Sequence, residues 1–350
     1  YVNECLDNFL TNEPMMGIET EYTLYQQIAP NVPLETINAF AAQLIPENNL
    51  VITVTTPKKE GETAPTKEQI LAVYNAAKDI EVEPYKEEVF EGPMVENLPK
   101  AGKIKKETLI PEMDATMLTL SNGMKVVYKK TDYKEDEIRF TASSPGGISA
   151  LPQKDFVTLQ ALPELITLGG VGNFSAIDLP KVLAGKKVNV SPFINTYYEG
   201  MNGSCSPKDL ETMMQLIHLY FTAPRQDNEA FTSYIQRNKA MLENVELDPM
   251  VTFSDSLTKI MYNNHPLRLR MKASDLDMIN YDEAMKMYQD RFADPNNFTL
   301  YFVGNIDIDS FKPLVEQYLA SLKKKKRKES WNDINLNITK EDHICHFNKE

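Results

Sequence analysis

The chain has 350 residues, 42% of them hydrophobic and 25% charged, which excludes wholesale disorder. Its 37 Lys and Arg against 50 Asp and Glu give a net charge of −13, which argues against nucleic acid as a partner, since phosphate binding wants a basic face. No apolar run approaches the ~18 residues of a membrane span, and Cys5, Cys205 and Cys345 are too few and scattered for a disulfide framework.

Residues 1–57 read as helix, helix, strand. Positions 1–10 look like the middle of an amphipathic helix, and Leu34, Ile37, Phe40, Ala41 and Leu44 have helical spacing. Pro46-Glu-Asn-Asn ends that helix, and Leu50-Val-Ile-Thr-Val-Thr predicts a buried strand. No charged start, apolar stretch and cleavage site mark a signal peptide. Tyr1 in place of an initiator Met makes the chain read as a piece of a longer protein. Ile338–Glu350 reads as a strand that opens a further domain.

Residues 58–112 hold 9 Lys, 12 Asp or Glu and five prolines in 55 positions. That composition predicts an extended linker between two domains, with one helix from an N-cap at Thr66 to Lys78.

Residues 113–330 read as one complete domain. Met117–Leu120 and Met124–Lys130 flank Ser-Asn-Gly as a hairpin, and Ile138–Ser143 is a third strand before Pro145-Gly-Gly. Phe156–Leu168 is helical in spacing, with Pro163 either in a first turn or at a kink. Ser175–Ala184 is a short helix closed by Gly185, then Val188–Ile194 and Tyr197–Cys205 are strands. Ser206-Pro207 opens a helix to Phe221 with Leu210, Met213, Met214, Ile217 and Tyr220 on one face. Helices follow at 227–245, 250–262 and 281–292, then a strand at Phe298–Val303 and a last helix at Ile308–Leu322. The expected class is α+β: a sheet of about six mainly antiparallel strands with helices on one face. Phe156, Leu159, Leu162 and Ile166 should face that sheet.

One internal echo stands out. Ile37, Phe40, Leu44, Pro-Glu-Asn-Asn and a strand match Met285, Tyr288, Phe292, Pro-Asn-Asn and a strand. Asn49 aligns with Asn297, an offset of 248 residues, which implies tandem related domains.

Side chains with catalytic potential are sparse. His218, His265, His343 and His346 form no His-x-x-His or His-x-x-Glu-His pattern. His218 reads as a structural histidine on an apolar face. His343, Cys345 and His346 are three metal-ligand types in four residues without a second cluster nearby. Lys323–Lys328 is a run of six cations that reads as a solvated helix end, favoured by the helix dipole. Gly169-Gly-Val-Gly172 follows a helix rather than a strand, so it is no dinucleotide loop. Gly146-Gly147 reads as a turn. Composition and spacing therefore stop at an α+β domain of a tandem set, with no visible catalytic apparatus.

Ordered signatures carry a resemblance. Leu120-Ser-Asn-Gly-Met-Lys-Val127, Ser143-Ser-Pro-Gly-Gly147, Asn264-His-Pro266, Phe292-Ala-Asp-Pro-Asn-Asn297 and Thr299-Leu-Tyr-Phe-Val-Gly-Asn-Ile306 resemble, in order and spacing, the pitrilysin/insulinase-like zinc metallopeptidases. The resemblance implies the repeated domain of the mitochondrial-processing-peptidase-like/LuxS-like metallohydrolase fold. Residues 1–57 would end one such domain, 58–112 link two halves, 113–330 be a third domain and 336–350 begin a fourth. Active members carry His-x-x-Glu-His on the first helix and a later Glu. Here that slot is Ala161-Leu-Pro-Glu164-Leu165, and the later ligand falls at Gln236-Arg237. Without two imidazoles no catalytic zinc is held, and Glu164 reads as a surface carboxylate. The expectation is therefore a chain with no catalytic, cofactor-binding or metal residue of its own. It would be the non-catalytic half of a zinc metalloendopeptidase, closing over peptide held by an N-terminal catalytic half with its own His-x-x-Glu-His upstream of Tyr1. A structural or assembly protein of the same family is the alternative. Long bacterial members are often exported, which points to the periplasm.

Overall fold

The computed structural model describes residues 1–44, 49–55, 63–77, 80–81, 94–245, 248–340, 342–344 and 346. It divides into two compact units, Tyr1–Lys86 and Glu87–Glu350.

The first unit holds α1 (Val2–Thr11), α2 (Ile18–Ile28), α3 (Leu34–Gln43) and α4 (Lys67–Ala77). Helix α4 begins where its sequence says. The Gln69 N–H donates to Thr66 Oγ1 at 3.3 Å while Gln69 Oε1 accepts from the Thr66 N–H at 2.9 Å, a reciprocal cap. The predicted strand at 50–55 does not form; its described residues are irregular and Val51 is 84% exposed. A strand needs a neighbour for its N–H and C=O groups, and the described residues of this unit include none. The Pro46 stop signal and Lys78 lie outside the described residues.

The second unit is built on a seven-stranded sheet in the order β1-β2-β3-β7-β4-β6-β5. The strands are β1 (Ile104–Ile110), β2 (Ala115–Leu120), β3 (Lys125–Lys130), β4 (Ile138–Pro145), β5 (Val188–Ile194), β6 (Tyr198–Cys205) and β7 (Thr299–Gly304). All neighbours pair antiparallel except β3 with β7, which run parallel. The helices are α5 (Phe156–Leu165), α6 (Asp178–Val182), α7 (Leu210–Thr222), α8 (Asn228–Val245), α9 (Pro249–Met261), α10 (Tyr281–Arg291) and α11 (Ile308–Leu314), the last running into a π-helical turn, Val315–Leu319. The α+β class and the mainly antiparallel sheet match the sequence reading.

Strand β1 was not foreseen, because Ile104-Lys-Lys-Glu-Thr-Leu-Ile lies within the stretch read as a linker. It is an edge strand, and edge strands carry charge that blocks further pairing. That same charge made it look like a tether. The chain before it is already anchored: Met94 and Val95 are buried and the Gly102 N–H donates to the Glu316 carbonyl at 2.9 Å.

Alternation along the strands buries one face. Leu118, Leu120, Val126, Ile138, Phe140, Leu300 and Phe302 are inside, whereas Lys125, Arg139, Thr141 and Tyr301 are exposed. Strand β7 comes from late in the chain yet sits centrally, so Phe302 meets Phe140 with ring centroids 4.9 Å apart. Helices α5 and α7 bury Leu159, Leu162, Ile166, Leu210, Met213, Ile217 and Tyr220, with Phe156 half-buried.

Three details depart from expectation. Pro163 lies in the last turn of α5 rather than the first; it has no N–H for the Leu159 carbonyl, and the helix ends two residues later. The helix expected over Ser175–Ala184 shrinks to Asp178–Val182, because the Ser175 hydroxyl oxygen accepts from the Asp178 N–H at 3.0 Å and so fixes the start there. Ser206 does not cap the backbone. Its hydroxyl donates to the Asp209 carboxylate at 2.6 Å, and a short tight turn precedes α7. No strand forms among the described residues from Ile338 on, and residues 341, 345 and 347–350 of the expected strand lie outside the described residues.

Candidate functional site

Helix α5 is where the family resemblance would put a metal, and its build decides the matter locally. Asp155 caps it, accepting the Thr158 N–H at 3.1 Å. Ala161 and Leu165, one turn apart, are 1% and 0% exposed and belong to the core. Glu164 stands outside that face. Its Oε2 accepts the Tyr234 hydroxyl from α8 at 2.7 Å. Burial, and then the adjacent Glu164 carboxylate, push the Tyr234 phenol above its ordinary range. Gln236 and Arg237, the sequence candidates for the later ligand, are exposed. Thus α8 does approach Glu164, but through Tyr234, a residue sequence reasoning missed. The donor set does not fit zinc: two apolar side chains fill the imidazole positions and the one carboxylate is engaged by a phenol. Among the described residues no cluster of three or more His, Cys, Asp or Glu is grouped to hold a metal.

The polar heart of the domain lies instead at the loop after β4. Arg291, at the end of α10, is buried with Glu199 of β6; their side chains are 2% and 0% exposed. Arg291 Nη2 and Nε donate to the two oxygens of Glu199 at 2.9 and 3.2 Å, and Nη1 donates to Glu329 at 3.0 Å. Glu199 also accepts the Gly147 N–H at 2.6 Å. Burial raises the Glu199 carboxyl, opposed by the guanidinium. Burial likewise works against the Arg291 charge, but Glu199 and Glu329 outweigh it and Arg291 stays protonated. The loop tolerates no side chain at its glycines. Gly147 has φ +56°, and a Cβ there would sit 2.3 Å from the Asn195 carbonyl oxygen; at Gly146 (φ +139°) it would sit 2.2 Å from Arg291. One sequence signal existed: Arg291 falls on the apolar stripe of Ala284, Met287 and Tyr288.

Downstream, residues 323–339 form an irregular strap across this region. The Arg327 N–H donates to Asp294 at 2.6 Å, the Asn332 N–H to Ser149 Oγ at 3.0 Å, and the Thr339 N–H to the Met261 carbonyl at 2.7 Å. His265 holds it from the side: Nε2 donates to the Ile334 carbonyl at 2.9 Å while Nδ1 accepts the Leu267 N–H at 3.3 Å. His265 is thereby a turn residue with both nitrogens engaged.

The remaining candidates stay apart. His218 is buried with Nδ1 on the Tyr318 carbonyl at 2.7 Å. His343 lies 3.5 Å from Thr339 Oγ1 and His346 is exposed; Cys345 lies outside the described residues. Burial pushes the Cys205 thiol up to about 12, unsuited to nucleophilic chemistry. Gly169–Gly172 is a turn in which Val171 bridges Phe174 and Pro224, not a phosphate loop. Within Lys323–Lys328, Arg327 pairs with Asp290 at 2.7 Å and the lysines are exposed. No helix among the described residues is long and apolar enough to cross a membrane.

The second unit is thus a mainly antiparallel sheet under helices, with Ala161 and Leu165 of α5 in its core. Residues 279–347 match the family profile described as the Peptidase M16 inactive domain. The chain is 27% identical over 323 residues to a zinc protease PQQL-like protein of Arabidopsis thaliana, covering 92% of this chain and 31% of that protein. It is 25% identical over 235 residues to the probable zinc protease PqqL of Haemophilus influenzae, covering 66% of this chain and 25% of that one. Among solved structures, the periplasmic protease PqqL from Escherichia coli superposes with TM-score 0.59 at 19% identity, over 96% of this chain and 37% of that one. The ferredoxin protease FusC, solved in complex with Arabidopsis ferredoxin, gives 0.61 at 16% identity, over 96% and 37%. These two likenesses carry the fold. The chain is thus similar to pitrilysin-like M16 peptidases, and it spans about a third or less of the length of the curated relatives it matches.

Proposed function

We propose that this chain is the non-catalytic half of a zinc metalloendopeptidase, which encloses peptide over a zinc site held by an N-terminal catalytic half. The observation that carries it is the filled slot on α5, where Ala161 and Leu165 are core residues and Glu164 is bound by Tyr234. A domain that supplies no ligand contributes by walling the reaction off from bulk water and from large proteins. The layout expected from sequence belongs to this reading: 1–57 closing a preceding domain, 336–350 opening a following one, and a tether between, shortened to end before β1. Peptide is the proposed substrate class, supported by the zinc protease names of the relatives. A periplasmic setting is proposed on the strength of the Escherichia coli neighbour.

The test is reconstitution. The catalytic half alone should hold zinc yet turn over peptide poorly, and adding the complete C-terminal half should restore turnover. Elemental analysis of the present chain should find no stoichiometric zinc. Full turnover without the partner, or one zinc per chain at the α5 slot, would overturn the proposal.

A further inference from the structure

Where the ends of α7 and α10 meet the chain after the π-helical turn, a cavity of about 420 Å³ opens. That is within the ~300–1,000 Å³ range of ligand pockets. Phe221 and Phe292 wall it, their rings edge to face with centroids 5.6 Å apart.

Two kinds of polar side chain, an imidazole and two ammonium groups, line it. The Tyr318 carbonyl can only accept, so Nδ1 of His218 carries the proton and Nε2 keeps a lone pair with no hydrogen-bond partner among the described residues. A mostly buried imidazole nitrogen left in this way calls for an explanation. Lys323 and Lys325 complete the lining, and neither has an acidic partner among the described residues. An apolar wall, an acceptor and two cations around one small space describe a ligand with an apolar side chain, one N–H and a carboxylate.

We propose that this cavity binds the C-terminal residue of a peptide ending in an apolar amino acid. The side chain lies against Phe221 and Phe292, the terminal amide N–H donates to His218 Nε2, and the carboxylate takes the Lys323 and Lys325 ammonium groups. This assigns a use to part of the Lys323–Lys328 run. The assignment does not depend on the enclosing role proposed above, because binding is read without hydrolysis.

Calorimetric titration of the whole chain tests it with three probes: N-acetyl-Ala-Phe, its C-terminal amide, and 3-phenylpropionate, which lacks the N–H. The free acid should bind about tenfold or more tightly than the amide, and more tightly than phenylpropionate, since charge-assisted bonds are the stronger ones. K323S with K325S, both at exposed positions, should weaken the acid about tenfold and abolish its preference over the amide. His218→Leu should erase the advantage over phenylpropionate. Absence of binding at millimolar acid, equal binding of acid and amide, or indifference to the lysine pair would each overturn the assignment.

Discussion

Replacing Arg291 by Ala removes one partner from an ion pair that water does not reach. The Glu199 carboxylate would keep the Gly147 N–H but lose two guanidinium contacts at 2.9 and 3.2 Å. Breaking a buried pair on one side costs roughly 3–5 kcal/mol, because a charge is left uncompensated in a low-dielectric interior. For a domain of this size each kcal/mol moves the midpoint about 2–4 °C, so a fall of about 6–20 °C is expected. Replacing both partners, Arg291→Met with Glu199→Leu, removes both desolvation costs together and should recover most of the loss. The Gly147 N–H then lacks its acceptor, which leaves a deficit of about 1–3 kcal/mol. Urea unfolding followed by Trp331 fluorescence suits the measurement. Trp331 is the single tryptophan, it lies on the strap, and its ring meets Tyr197 at 5.6 Å. Far-UV circular dichroism in parallel checks that strap and domain unfold together. A single variant within about 1 kcal/mol of the parent, or a double variant less stable than the single, would refute the buried-pair account.

Two further outcomes follow from the same geometry. Burial depresses the pKa of His218 below its ordinary 6.5, against the hydrogen bond to the Tyr318 carbonyl. The unfolded chain therefore takes up a proton before the folded one does. Stability is intact above pH 6.5 and is lost as pH falls through the depressed folded value, at up to about 1.4 kcal/mol per pH unit. Glu199, raised by burial, works in the opposite direction, so the comparison of His218→Gln with the parent isolates the histidine. The variant should have a flatter stability profile below pH 6.5 in urea titrations, and parallel profiles would exclude the effect. Gly147→Ala should cost about 1–3 kcal/mol from left-handed backbone strain alone, and more from the clash with the Asn195 carbonyl. A thermal midpoint equal to that of the parent would show that the loop adapts freely.

What the sequence determined by itself is local and periodic. The Ser-Asn-Gly hairpin, the alternating strands β2 to β6 and the apolar stripe of α7 were legible because each follows from short-range chemistry and a repeat of two or 3.6. So was the absence of imidazoles from the α5 slot, a matter of residue identity. Tertiary structure decided everything that depends on a distant neighbour. Leu50–Thr55 has the composition of a strand yet forms none, since pairing and not propensity makes a strand; Ile104–Ile110 has the composition of a linker yet pairs, since an edge strand needs one neighbour only. The Glu199–Arg291–Glu329 network joins residues as far as 130 positions apart, and the partner of Glu164 is Tyr234 rather than Gln236. No spacing rule reaches across such separations. Which charge is buried, and beside what, is fixed only when β7 and α10 fold back onto the strands that precede them, because desolvation depends on packing around a group and not on its place in the chain.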